Sequence, residues 1–247
     1  MSYMTLLNRN LKTLAKNAGA VLYLDARKST GYDLPSNSPL TNPWTDLSGL
    51  ANNATPTNMA GTTASGVDVS DPLKPFWALD GTDDFFSLVN TASLDITSAP
   101  LAVFSTFKIA VGAGNGWLFC KNLDALANVQ YGFWYVTTGS YTSAYLESTQ
   151  RAYGANNSIV PGTWCNSGFI WDGTNVKAYV NCIISGESIA CSGALTSRAN
   201  VRIGCRANNL IFLKGGIASV SVYAGAKATE TNVLKAEKSI SKTYIGG

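Results

Sequence analysis

The sequence predicts an all-β chain, a two-sheet antiparallel sandwich with a short helix at each end. Three observations carry this. From residue 20 onward the pattern has period two, in short runs rich in β-branched and aromatic residues: "AVLYLDA" (20–26), "LAVFSTFKIA" (101–110), "VKAYVN" (176–181), "VRIGC" (201–205) and "IASVSVY" (217–223). Glycine- or asparagine-rich turns separate many of these runs. Only the two ends follow a helical period.

At the start, Met4, Leu7, Leu11, Leu14 and Ala18 recur at steps of three and four, with Asn8, Arg9, Lys12 and Lys16 on the opposite side. Residues 1–19 therefore read as an amphipathic helical arm, and 20–247 as one domain that ends in a second helix. The arm has three readings: a helix packed on its own sandwich, a docking arm presenting Met4, Leu7, Leu11 and Leu14 to a partner, and a membrane-surface helix. The third is weakest, because three basic residues without a large apolar-face aromatic make a poor anchor. Residues 1–24 carry no acid, whereas 25–100 carry nine acids against Arg27, Lys28 and Lys74. That asymmetry favours contact between the arm and the acidic region, in the same or an adjacent subunit, and predicts a homo-oligomer or an assembly component.

Within the domain, Val176, Ala178 and Val180 point one way while Lys177, Tyr179 and Asn181 point the other. Both faces of 101–110 are largely apolar, as in a central strand covered on both sides. Residues 26–75 are punctuated by Pro35, Pro39, Pro43, Pro56, Pro72 and Pro75, and are expected to hold two or three short strands between long excursions. In the closing helix Val233, Ala236, Ile240 and Tyr244 share a face, Thr229 is the N-cap, and Gly246 and Gly247 end the run.

Composition narrows the chemistry. The 247 residues are 46% hydrophobic and 13% charged, enough for a sizeable core under a neutral polar surface. A net charge of +3 does not argue for nucleic acid. There is no histidine, which removes the usual general base and the commonest transition-metal ligand. The cysteines Cys120, Cys165, Cys182, Cys191 and Cys205 form no C-x-x-C pair; buried thiols are the first reading and a disulfide the second. "AGAVLYL" (18–24) is too short for a convincing secretory signal, and no run approaches the roughly 20 apolar residues of a membrane span. Cooperating sugar-cleaving carboxylates on a strand would sit at i and i+2, and no two acids in the chain have that spacing. No hydrolase activity and no catalytic residue are expected.

The stretch "FWALDGTDDFFSL" (76–88) crowds Asp80, Asp83 and Asp84 between aromatics. Asp-Gly supplies a turn whose side chains cap the local backbone, and that reading is preferred. A structural calcium on Asp80 and Asp83 is the alternative; otherwise no cofactor is expected.

This stretch also resembles the "FDGTDDYV" signature of the laminin-G-like branch of the concanavalin A-like lectin/glucanase superfamily. "AVLYLDARKSTGYD" is similar to the opening strand of such domains, and "WTDLSGLANNAT" (44–55) to their W-x-D-L-S-G-N segment. "WDGTNVKAYVN" (171–181) and "GGIASVSVYAGAKATETNV" resemble their later strand pair and closing strand with its helix. The resemblance spans roughly residues 20–245 and implies a jelly roll of the binding type. The aspartate that holds calcium in some members is missing from "GGIASVSVY", Cys182 replaces a turn glycine, and the paired-carboxylate strand of the glucanases is absent.

A glycan site needs aromatic faces beside amide, carboxylate or guanidinium groups. The best segment is 131–157, where Tyr141, Tyr145 and Glu147 alternate onto one face and Arg151, Tyr153 and Asn156 follow. Tyr131, Phe133 and Tyr135 share a face opposite Trp134. The competing reading assigns most of these aromatics to the core. Two functional classes remain: a non-catalytic virion component (phage tail, baseplate or capsid decoration) that touches host-surface glycans, and a stand-alone carbohydrate-binding module or glycan-acting enzyme. The neutral surface, the absent leader and the basic helix favour the first.

Overall fold

The computed structural model describes residues 3–28, 43–62, 64–71, 73–122, 129–147, 149–206 and 210–246, without the side chains of residues 3–9, 28, 150 and 151. The chain opens with helix α1 (Tyr3–Asn17) and strands β1 (Ala20–Asp25), β2 (Ala54–Thr57), β3 (Gly66–Asp68), β4 (Phe76–Asp80) and β5 (Phe85–Leu88). It continues through β6 (Leu101–Ile109), β7 (Gly116–Asn122), β8 (Val129–Val136), β9 (Tyr141–Leu146), β10 (Thr149–Tyr153) and β11 (Cys165–Trp171). It closes with β12 (Asn175–Val180), β13 (Ile183–Ile184), β14 (Glu187–Ala190), β15 (Asn200–Ile203), β16 (Lys214–Ala224) and α2 (Glu230–Ile245).

The strands form two antiparallel layers. Sheet A runs β3-β4-β16-β6-β11-β12, with β1 beside the second half of β16. Sheet B runs β2-β5-β15-β7-β8-β9-β10-β14. β14 joins the layers at one edge, pairing with β10 through Ser188 and Ala152 and with β12 through Ile189 and Val176. The alternation explains the core: Val176 and Ala178 face inward while Tyr179 faces out, and Phe133 meets Phe169 across the sandwich. Trp44, Trp77 and Phe86 form a buried aromatic group, with ring centroids 4.7–5.7 Å apart. β6, between β11 and β16, is buried on both faces except at Lys108. The proline-rich region contributes β2 and β3; residues 29–42 of it lie outside the described ones.

Both helices lie on the outer face of sheet A. Leu11, Ala15 and Ala18 of the arm share one apolar cluster with Tyr23, Phe104, Ile170, Tyr179, Tyr223 and the Val233, Ala236 and Ile240 stripe of α2. Leu11 is buried there and Leu14 packs partly against the same cluster, so this chain's own sandwich covers two residues expected to dock a partner. The physical reason is proximity: Gly19, with φ +82°, turns the chain straight into β1 and lays α1 against α2. The side chains of Met4 and Leu7 lie outside the described ones. Thr229 caps α2 by accepting from Asn232 N–H, and Gly246 ends it.

Charge is buried under α2 in an organised way. Arg27 binds Asp25 at 2.7 Å and donates to Ile240 O and Thr243 Oγ1, tying β1 to the helix. Tyr23 Oη also donates to Asp25, at 2.7 Å. Glu237, fully buried, accepts from Tyr223 Oη at 2.6 Å and from Asn166 Nδ2 at 2.8 Å; burial raises its pKa. The five cysteines are all buried, and none is joined in a disulfide. No described helix is long and apolar enough to cross a membrane.

Candidate functional site

Among the described residues, neither α-helix covers the outer face of sheet B. Its geometry centres on β9, where Tyr141, Ser143 and Tyr145 point outward while Thr142, Ala144 and Leu146 point in. Across the ladder Ser143 faces Trp134 of β8 on one side and Tyr153 of β10 on the other. One small hydroxyl thus sits at the middle of a cross of four partly exposed aromatic side chains. Ser143 is 1% exposed, and its Oγ has no hydrogen-bond partner among the described residues.

At one end of the cross, Trp134, Tyr145 and the buried Trp117 of β7 form a cluster. Trp117 and Trp134 stack at 5.4 Å, and Tyr145 meets them at 5.8 and 6.1 Å. Gly132 makes this possible, because a Cβ there would fall 3.2 Å from the Trp117 ring and 2.6 Å from a backbone oxygen. The indole Nε1 atoms of Trp117 and Trp134 are buried without partners.

At the other end, Tyr141 and Tyr153 lie 6.0 Å apart, and Tyr153 Oη donates to Glu187 Oε2 at 3.1 Å. Asn156 joins them because its loop is pinned by Asn157 N–H to Gly139 O and Ile159 N–H to Ser140 O. Gly139 has no side chain where Tyr141 and Asn156 converge; a Cβ would meet them at 2.5 and 2.6 Å. Ser158 Oγ, beside Gly154, is a further buried hydroxyl without a partner.

Tyr141, Tyr145, Tyr153 and Asn156 are therefore brought to one face. Glu147 is not. β9 ends at Leu146, Glu147 takes φ +49°, and its carboxylate accepts from Thr196 N–H, so the alternation expected from the sequence stops one residue too early. The side chain of Arg151 lies outside the described ones. Tyr131, Phe133 and Tyr135 belong to the core, with Trp134 on the opposite face. Sequence reading passed over Trp134, Trp117, Ser143 and Glu187 as site residues. The parity opposite Tyr131, Phe133 and Tyr135 was the available signal for Trp134.

The aspartate cluster is a turn in atomic terms. Asp80 Oδ1 accepts from Thr82 N–H and Asp83 N–H, while Asp84 accepts from Ser65 Oγ and Asp80 N–H. One oxygen from each of the three aspartates lies within 4.8 Å of the others. With three of these oxygens engaged by the turn, a cation would find Asp83 and one Asp80 oxygen free, a poor fit to the six to eight ligands of calcium. Burial pushes the Asp84 carboxyl up to about 6, so it accepts these bonds at the cost of desolvation.

No protein-family model matches the chain, and no curated protein matches it in sequence. Solved structures do share its architecture. Domain 4 of AbnA, a GH43 extracellular arabinanase from Geobacillus stearothermophilus in complex with arabinotriose, matches with TM-score 0.59 and 15% identity over 89% of this chain and 98% of that one. The ligand-binding domain of botulinum neurotoxin serotype D, in complex with N-acetylneuraminic acid, matches with TM-score 0.60 and 11% identity over 90% of this chain and 51% of that one. Trypanosoma rangeli sialidase matches with TM-score 0.57 and 12% identity over 93% of this chain. The chain spans about a third of the sialidase, 34% of its length, and nearly the whole arabinanase domain. At these identities the likeness is one of fold: the chain is an antiparallel β-sandwich consistent with a jelly roll.

Proposed function

We propose that this protein is a non-catalytic carbohydrate-binding module whose glycan lies along β9 on the outer face of sheet B. The observation that carries the reading is the cross of partly exposed rings, Trp134, Tyr141, Tyr145 and Tyr153, arranged around Ser143 on a sheet face that no described helix covers. Sugars present apolar C–H faces and a dense set of hydroxyls. Aromatic rings suit the first, and the Tyr141 and Tyr145 hydroxyls and the exposed Asn156 amide suit the second. Support also comes from the neighbours solved with arabinotriose and N-acetylneuraminic acid, and from the laminin-G-like motifs. The carboxylates nearest this face, Glu147 and Glu187, are held by Thr196 N–H and Tyr153 Oη, which favours binding over cleavage.

The test is a glycan array followed by calorimetry on the best hit. Trp134→Ala and Tyr145→Ala are expected to weaken binding at least about tenfold, or 1.4 kcal/mol, while the fold is kept. Unchanged affinity in both variants would sink the reading. Release of reducing sugar, abolished by Glu187→Gln, would replace it with the enzymatic one. The virion setting is the second part of the proposal, supported by the neutral Asn/Ser/Thr-rich composition. Mass spectrometry of purified particles tests it, and absence of the chain from them removes it.

A further inference from the structure

The helices leave one end of sheet A's outer face open. There a trough of about 480 Å³ runs over β4, β16 and β6, floored by small residues and rimmed by Phe76, Asp80, Lys108 and Lys214. Its floor is the row Ala78, Gly216, Lys108 across three neighbouring strands. A Cβ at Gly216 would fall 2.6 Å from the Phe76 ring and 3.3 Å from Trp164, so both rings lie down onto the bare backbone. They meet edge to face at 5.2 Å, and the Lys108 ammonium stands 5.0 and 5.2 Å from their centroids. Behind them Trp164 packs on Tyr244, and Tyr244 lies under Arg27, so the wall is anchored to the buried ion pair beneath α2.

The rim of the trough carries two ammonium groups, Lys108 and Lys214, against one carboxylate, Asp80. Lys214 sits directly across the ladder from Asp80, but Asp80 Oδ1 is turned back onto Thr82 and Asp83 N–H, and the two make no ion pair. Among the described residues neither Lys108 nor Lys214 has a carboxylate partner. Two unpaired ammonium groups thus flank a flat floor and an aromatic wall, with an acceptor left on Asp80. A free inorganic anion needs no such floor or wall, and a neutral sugar needs no such cations. A pyranose ring carrying a carboxylate uses all three.

We propose that this trough is a second binding site, on the sheet opposite the β9 face, and that it takes an acidic sugar residue of the uronate kind. Its carboxylate is held between Lys108 and Lys214, its ring lies against Phe76 and Trp164, and a hydroxyl donates to Asp80. The site does not depend on the β9 face being a glycan site.

The experiment is an amide NMR titration with trigalacturonate, its carboxyl-reduced neutral counterpart, and sodium sulfate alone. Trigalacturonate is expected to shift Ala78, Lys108 and Gly216. Lys108→Ala and Lys214→Ala are each expected to weaken binding by about fivefold to tenfold, and added salt to weaken it further. Trp134→Ala, on the other sheet, leaves this titration unchanged, which separates the two sites. The proposal is overturned if the trough residues do not shift, if the neutral sugar or sulfate alone reproduces the shifts at similar concentration, or if both lysine variants bind as the wild type does. Unperturbed spectra away from the trough establish that the variants are folded.

Discussion

The two outer faces of the sandwich are built from similar strands and covered in opposite ways. On sheet A two helices cover the strands, and the buried charges beneath them are matched: Asp25 to Arg27 and Tyr23, Glu237 to Tyr223 and Asn166. On sheet B the strands stay bare, and partly exposed rings surround polar atoms with nothing to bind. Sheet A also keeps unpartnered hydroxyls, Ser219, Ser221 and Tyr179, of which the last two lie close to Glu237 and Glu230 of α2. Those of sheet B, Ser143 Oγ and the Trp117 and Trp134 indole N–H groups, are equally shut from solvent, but they lie beneath partly exposed rings rather than beneath a helix. The contrast is one of cover: sheet A's buried charges are engaged beneath a helix, whereas on sheet B partly exposed rings close over the polar atoms.

That contrast can be broken by substitution. The largest effect is expected on sheet A. Arg27→Ala leaves Asp25 buried without its cation and should lower the unfolding free energy by about 3–5 kcal/mol in urea titrations. A loss below about 1 kcal/mol would mean that the ion pair contributes little to docking α2.

The next effect lies at the turn joining β4 of one sheet to β5 of the other. Asp84 has a folded pKa of about 6 against an ordinary 3.8, raised chiefly by burial. The native state therefore holds its proton more tightly, and the sign follows: the associated stability is fully present below pH 3.8 and is lost as pH rises through 6. Relative to Asp84→Asn, the wild type should lose about 2–3 kcal/mol across that window. Parallel stability–pH curves would refute the assignment.

The last two substitutions set the faces directly against each other. Tyr223→Phe removes a hydroxyl that donates to buried Glu237 and should cost about 1.5–3 kcal/mol. Ser143→Ala removes a buried hydroxyl with no partner among the described residues and should change stability by less than about 0.5 kcal/mol, or raise it. Equal costs at the two positions would erase the distinction between the faces.

Much of this architecture could be read from residue order alone. The two-sided apolar run at 101–109 and the alternation in 176–180 showed which side chains enter the core, and Thr229 marked the start of α2, because these signals are local. The Asp-Gly turn was legible for the same reason. The site was legible only in part. Alternation on paper carries Glu147 onto the face of Tyr141 and Tyr145, but a left-handed residue ends the strand there, and nothing at position 147 announces it. Trp117 was hidden by a register shift between it and Phe119, which moves its ring to the outer face. The arm's stripe announced that something must cover it, but a stripe does not name its cover; the nearest apolar surface turned out to be the neighbouring sheet and α2.

The edges of the sandwich bear on how it meets its own copies. β14 fastens one edge of each sheet to the other, which removes two places where a foreign strand might pair. On the far side of sheet B, the two outward positions of β2 are also closed. Ala54 N–H already donates to Trp44 O, and Pro56 has no N–H to give. β3, at the far side of sheet A, is three residues long. The backbone therefore offers little template for strand addition, and a crowded array of such chains is protected from fusing into continuous sheet. Any assembly it joins must be built from side chains on its faces and loops, the kind of contact that can be made and unmade without unravelling the fold.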